Sequence, residues 1–163
     1  MGPEPNAFPP DGFPPDGFPP DEFPPNPMLP TPHTLVNPPE LGPPVGFSHA
    51  VVTAPGTTVH LAGQIASGVD GRLAAEGLTA QFDLALANVV TAVRAAGAAP
   101  EHLVTLTVYT TDVSGYRAAA REIGRIYRRH LGRHYPAMAL FGVTELYDPE
   151  ALVELVGLAV IPD

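Results

Sequence analysis

Near the end of the chain one carboxylate stands in an apolar alternation. Glu154 shares a side of an extended segment with Val156, Leu158 and Val160, while Val153, Leu155, Gly157, Ala159 and Ile161 point the other way. A carboxyl group placed among such side chains loses water, and its pKa rises unless it is paired. That suits a general acid or base, or a group that positions water. The plainer reading is an edge glutamate that reaches solvent. The six histidines (His33, His49, His60, His102, His130 and His134) include no His-Glu-x-x-His spacing, and the chain has no cysteine. Neither a metal site, thiol chemistry nor a disulfide is therefore expected, and no cofactor is implied. His60, Ala62 and Gln64 would share one strand face, with His49 on the strand before. Such a pair could line a cleft, although a satisfied structural histidine is the commoner case. Ser48 lies in no nucleophile elbow.

These residues need elements to hold them. Val45 to Ala54 and Thr57 to Ile65 read as two strands joined by a turn at Ala54-Pro55-Gly56. Thr79 is placed to cap a helix running to about Ala96, with Phe82, Leu86, Val89, Val90 and Val93 on one face and Gly97 as its stop. Leu103 to Thr111 reads as a β-branched strand. Asp112 or Ser114 opens a second helix with Tyr116, Ile123, Ile126, Tyr127 and Leu131 inward, ended by Gly132. Ala137 to Glu145 and Ala151 to Ile161 read as the last two strands. The order is ββαβαββ, an α+β domain with one sheet and two helices. Two helices cover only one face of such a sheet, and both sides of the last strand are largely apolar. The second face is therefore expected to meet other subunits in a homo-oligomer.

The N-terminal part is of a different kind. Residues 1–44 hold seventeen of the twenty-two prolines, and a five-residue unit recurs from Phe8-Pro9-Pro10-Asp11-Gly12 to the variant Phe23-Pro24-Pro25-Asn26-Pro27. Proline removes donors and fixes φ, so helix and central strand are excluded and polyproline II is favoured. The division expected is an acidic, proline-rich, low-complexity tail over 1–44 and a globular domain over 45–163. The tail reads either as a disordered tether or as a multivalent docking peptide for a protein partner. The formal net charge is −9, of which the tail contributes −6, and no basic face offsets it, so nucleic acid is not an expected partner. Arg121, Arg125, Arg128 and Arg129 read as the solvated face of a helix. No apolar stretch is long enough to span a membrane, and the N-terminus lacks the basic start and apolar core of a signal peptide, so a cytoplasmic location is expected.

The segment Leu103-Val104-Thr105-Leu106-Thr107-Val108-Tyr109-Thr110-Thr111-Asp112 resembles the strand-to-helix signature of the Rid family (reactive intermediate deaminase, also called YjgF). Further pieces agree in order: Gly46-Phe47-Ser48-His49-Ala50, Leu61-Ala62-Gly63-Gln64-Ile65, Ala85-Leu86-Ala87-Asn88-Val89, His134-Tyr135-Pro136-Ala137 and Leu152-Val153-Glu154-Leu155. The resemblance implies a chorismate-mutase-like fold and a homotrimer with small-molecule sites between subunits. It also implies hydrolysis of enamines and imines, such as 2-aminoacrylate, to keto acids and ammonia. By the same resemblance Glu154 and Gly63 are the catalytic positions, the glutamate for water and the glycine backbone for the reacting centre. Phe47, Ser48, His49, Ala62, Met138 and Leu140 are the substrate-binding positions.

The departures from the family pattern are chemical. Phe47 stands for a tyrosine, His49 for a glutamine, Ala62 for a serine and Gly124 for an asparagine. Met138 stands for the arginine that grips the substrate carboxylate. A guanidinium contributes two charge-assisted hydrogen bonds of about 1.5–3 kcal/mol each, so its loss weakens carboxylate binding by roughly 100-fold or more. Met138, Leu140 and Phe47 would offer an apolar wall instead, with Arg133 or His134 as possible replacements for the charge. Two readings follow. One is a divergent enzyme hydrolysing or rearranging a small reactive imine, enamine or carbonyl compound, distinct from a standard 2-aminoacrylate deaminase. The other is a non-catalytic trimeric binding protein recruited by its tail.

Overall fold

The computed structural model of the chain describes residues 30–163; the Phe-Pro-Pro repeats lie outside them. Six strands and three helices follow in the order β1 (Thr34–Val36), β2 (Ala50–Val52), β3 (Gly56–His60), α1 (Leu78–Ala95), β4 (Leu103–Thr110), α2 (Val113–Ala118), α3 (Ala120–Leu131), β5 (Ala137–Gly142) and β6 (Val153–Pro162). The main sheet has the order β3-β6-β4-β5, antiparallel except for β4 and β5. The helices lie on one side of it. Phe82, Leu86, Val89 and Val93 of α1 pack with Ile123, Ile126 and Leu131 of α3 against Leu106, Val108, Val153 and Leu155 of the sheet. This is the α+β arrangement expected, and the apolar stripes at 3.6-residue spacing are its cause.

Several details differ from expectation for local reasons. Residues 45–54 do not run as one strand beside β3. Gly46 takes φ 76°, and Ser48 then turns to the start of β5, where its amide donates to Pro136 O (2.9 Å) and its hydroxyl to Tyr135 O (2.7 Å). Only Ala50–Val52 remains a strand, and it pairs with β1 in a separate two-stranded sheet. Strand β1 lies on the N-terminal side of the 44/45 boundary expected from composition, so the chain carries a second small sheet instead of one. Thr79 does not cap α1; the cap position is Gly77, at φ 78° with no side-chain bond. Asp112, one of the two openers expected, does cap α2, its carboxylate accepting from the Gly115 amide (2.8 Å) and the Ser114 hydroxyl (2.9 Å). Those bonds, the backbone one first, hold its pKa below the usual value. The expected second helix is two segments, offset at Ala119, whose ψ of 5° departs from helical geometry. Tyr116 from the first and Ile123 and Tyr127 from the second still reach the core.

Strand β6 is tied at its start by polar groups from two elements, α1 and β4. Buried Gln81 of α1 donates to Glu150 O (3.1 Å) and accepts from the Leu152 amide (2.7 Å). The Thr110 hydroxyl donates to Leu152 O (2.8 Å). Helices α1 and α3 are joined at the surface by Asp83, which accepts from Arg129 and His130 at 2.6 Å each. Partial burial would raise the Asp83 pKa, but the two hydrogen bonds and the adjacent charges outweigh it and the net shift is downward. Among the described residues no helix is long and apolar enough to cross a membrane.

His134 is buried, and its Nε2–H donates to Leu103 O at 2.7 Å. Loss of water around the ring lowers its pKa despite that bond. As pH falls below about 6.5, the unfolded chain takes up this proton before the folded one does. The stability present above that pH is therefore lost on acidification, by at most about 1.4 kcal/mol per pH unit for one group. His134→Gln retains an N–H donor without a titrating ring. Urea denaturation between pH 7 and 5 is expected to show a shallower loss in this variant than in the natural chain; equal slopes would assign the titration elsewhere.

Candidate functional site

Strand β3 ends at His60, but the chain continues along β6 with one residue too many. The Leu61 amide donates to Gly157 O, and Gln64 exchanges both backbone bonds with Leu155. Three steps on one strand thus face two on the other, which makes Ala62-Gly63 a β-bulge. The extra residue reverses the alternation. His60 is in register with Leu158 and Gln64 with Leu155, residues on opposite sides of β6. His60, Ala62 and Gln64 therefore do not share a face, contrary to the expectation from period-two spacing.

The bulge brings Gly63 onto Glu154. A Cβ on Gly63 would overlap the Glu154 carboxylate, with Oε1 nearest and Cδ next. Only a residue without a side chain leaves the carboxyl group this position. The loop is held from behind by Asn88 of α1, which donates to Ile65 O and Ser67 O at 2.9 Å each. Glu154 is half-buried on the outer side of the sheet, directly across from Tyr109 of β4. Tyr109 in turn stacks on Phe141 of β5.

Met138 and Leu140 do share a strand face, as expected, and it is the helix side: they are in register with core residues Leu106 and Val108. Together with Phe47 they line a cleft of about 580 Å³ between the β5 edge and α2–α3, which Ser48 also borders. A smaller hollow across the same edge is bordered by Phe47, Ser48, His49 and Thr107. The His49 ring is in bonding contact with Gly42 O at 2.8 Å and meets Phe47 edge-on. Within one chain, Gly63, Ala62 and Glu154 thus form one group and Phe47, Ser48, His49, Met138 and Leu140 another. Glu154 and Met138 lie on opposite faces, with β4 between their strands.

The two candidate replacements for the arginine differ in placement. Arg133 borders the cleft. His134 does not, since its ring is spent on Leu103 O inside the core. Sequence reasoning missed Arg128, which was read as solvated surface. It lines the cleft, and its Nε–H donates to the Tyr135 hydroxyl at 3.2 Å. Tyr135 stacks on Tyr127, whose hydroxyl donates to His134 O; burial raises the Tyr127 pKa and keeps that proton in place. The signal was available: Ala120, Gly124 and Arg128 recur every four residues, two small residues and then the arginine, and all three border the cleft with Met138.

A family model described as Endoribonuclease L-PSP matches residues 39–161. Among solved structures, a protein of unknown function of the conserved Rid family from Yersinia pestis is 35% identical, with a TM-score of 0.72 over 79% of this chain and 98% of that one. RidA from the Antarctic bacterium Psychrobacter sp. is 26% identical, with a TM-score of 0.57 over 71% and 88%. TdcF from E. coli, crystallised with bound serine, is 26% identical, with a TM-score of 0.55 over 74% and 90%. Among curated proteins, none matches.

The contact between Gly63 and Glu154 is testable apart from any activity. Gly63→Ala should displace the carboxylate and cost about 1 kcal/mol, the low end for overpacking because the glutamate tip can swing aside. The same substitution made in a Glu154→Ala background should cost almost nothing. A double-mutant cycle by chemical denaturation reads the difference. Equal costs in both backgrounds would mean that the carboxylate does not lie against Gly63.

Proposed function

The chain belongs to the Rid/YjgF family, the one described by the endoribonuclease L-PSP model, and from that premise we propose that it hydrolyses or rearranges a small reactive imine, enamine or carbonyl compound. The observation that carries the reading is the Glu154 carboxylate held against the Gly63 bulge. In such a site the carboxylate takes a proton from water as the oxygen adds to the imine carbon. That proton passes to nitrogen, giving a carbinolamine; the carboxylate then carries the carbinolamine's hydroxyl proton to nitrogen as well, the C–N bond breaks, and a carbonyl compound and ammonia leave. The Gly63 backbone orients the reacting group.

The proposed assembly is a homotrimer in which the outer sheet face of one copy meets a neighbour. Two features support it. The outer row contains Val156, Leu158 and the 52%-exposed Phe141, apolar surface of the kind that subunit contacts cover. In addition, Glu154 and the Met138 cleft lie on opposite faces, so a pocket that uses both must draw on two copies.

Met138 sets the substrate preference in this proposal. No guanidinium stands at the place of the family's carboxylate grip, and Met138, Leu140 and Phe47 favour an apolar ligand. RNA cleavage, the activity in the family model's description, has less support. Phosphate binding scales with the charges neutralised; the chain is formally −9, and Arg129 is already paired with Asp83. Met138 also supports a second reading, a binding protein without turnover whose proline-rich tail recruits it to a partner.

Glu154→Gln is expected to lower imine hydrolysis by about 100-fold with little change in KM; a binding protein would show no turnover to lose. Met138→Arg is expected to raise kcat/KM for 2-aminoacrylate by about 100-fold. No gain would mean that the apolar wall at 138 is not what limits carboxylate substrates. Light scattering should give three times the chain mass, and a monomer would remove the shared-site proposal.

A further inference from the structure

The Met138 cleft has a second kind of occupant available within the chain. Six of the eight arginines lie between Arg117 and Arg133, where the only acid is Glu122. Arg121, Arg125 and Arg128 recur along α3 as one ridge, and Arg128 and Arg133 border the cleft itself. Residues 1–29 carry the opposite character: five acids, no arginine or lysine, and Phe8, Phe13, Phe18 and Phe23 each followed by two prolines. The cleft floor is apolar and aromatic, with Met138, Leu140, Tyr116 and Tyr135. Its rim includes Leu35 of β1, five residues after Pro30, where the described chain begins.

We infer that a Phe-Pro-Pro-Asp repeat of the chain's own N-terminal segment docks in this cleft, with the phenylalanine ring against Met138 and Tyr135 and the aspartate beside Arg128 and Arg133. Charge supplies the pairing, Arg128 and Arg133 at the cleft against the aspartate of the repeat, and the aromatic and proline faces supply the apolar fit. Reach is no obstacle. Phe18, which opens the nearest repeat with an aspartate, is twelve residues from Pro30, a span of up to about 37 Å at 3.1 Å per residue, and each repeat adds about 15 Å. The ridge from Arg121 to Arg128 is about 10 Å long, so one repeat covers it. Three Phe-Pro-Pro-Asp repeats and the Asn26 variant on one tether keep the local concentration high, so no single repeat is essential. A docked repeat and a small ligand exclude each other at Met138. The inference holds whether or not the cleft takes part in turnover.

The absence of cysteine makes the test direct. A nitroxide on Gly17→Cys in the full-length chain is the only spin label, and methyl NMR without substrate reads its neighbours. The Met138, Leu140 and Leu35 methyls are expected to lose most of their intensity, and to recover it when Phe8, Phe13, Phe18 and Phe23 are all replaced by alanine. Arg128→Glu with Arg133→Glu should restore the intensity as well. No broadening at these methyls, or broadening that survives the four alanines, overturns the inference. A spin-labelled chain at natural isotope abundance, denatured and refolded with an isotope-labelled unmodified chain, distinguishes the source. Broadening in that mixture as strong as within one chain would assign the occupant to another copy and overturn the intramolecular form.

Discussion

The register of β6 is the constraint on which the site depends. The strand lies between β3 and β4, so both its edges are paired, and its start is held by the Gln81 amide and the Thr110 hydroxyl. A strand alternates sides with a period of two. A slip of one residue would turn Glu154 into the helix-covered core and Val153 and Leu155 outward. Burying an unpaired carboxylate costs several kcal/mol, and exposing Val153 and Leu155 forfeits their burial. Polar ties at one end and the apolar row along the strand therefore select the same register, and that register puts a carboxylate on the open face.

The bulge at Ala62-Gly63 is the second device. Without it the chain after β3 would continue in simple alternation, and a side chain could stand where the Glu154 carboxylate now lies. One inserted residue, one glycine and the Asn88 clamp on Ile65 O and Ser67 O make the place. Gly115 and Asp112 repeat the same logic at the start of α2, where a Cβ would likewise overlap a carboxylate. There the acid caps a helix and is satisfied by it; at Gly63 the acid faces outward beside Tyr109.

Much of the scaffold was legible because its signals are local and periodic. The α1 and α3 stripes, the glycine stops at Gly97 and Gly132 and the alternation of β6 each depend on neighbours within a few positions. The misses share a different cause. Strand β1 pairs with residues fourteen to eighteen positions later, and nothing in Thr34-Leu35-Val36 marks that partner among the surrounding prolines. Thr79 looked like a cap because threonine often is one, yet Gly77 alone could take the positive φ at which the helix begins. Arg128 looked solvated because arginine usually is. Its neighbours Ala120 and Gly124 are small enough to leave a cleft beside it, a consequence of packing against β5.

By itself the sequence determined the α+β class, the places of α1, β4, β5 and β6, the resemblance to the family, the apolar character of the wall at Met138, Leu140 and Phe47, and the isolation of Glu154 in its row. These follow from side-chain chemistry and short-range spacing. Only the tertiary structure decided that Glu154 and Met138 face opposite ways, that His134 is committed to the core while Arg128 borders the cleft, and that Gly63 sits under a carboxylate. Each of those depends on which strand lies beside which and on a single-residue register, and contacts between distant segments set both.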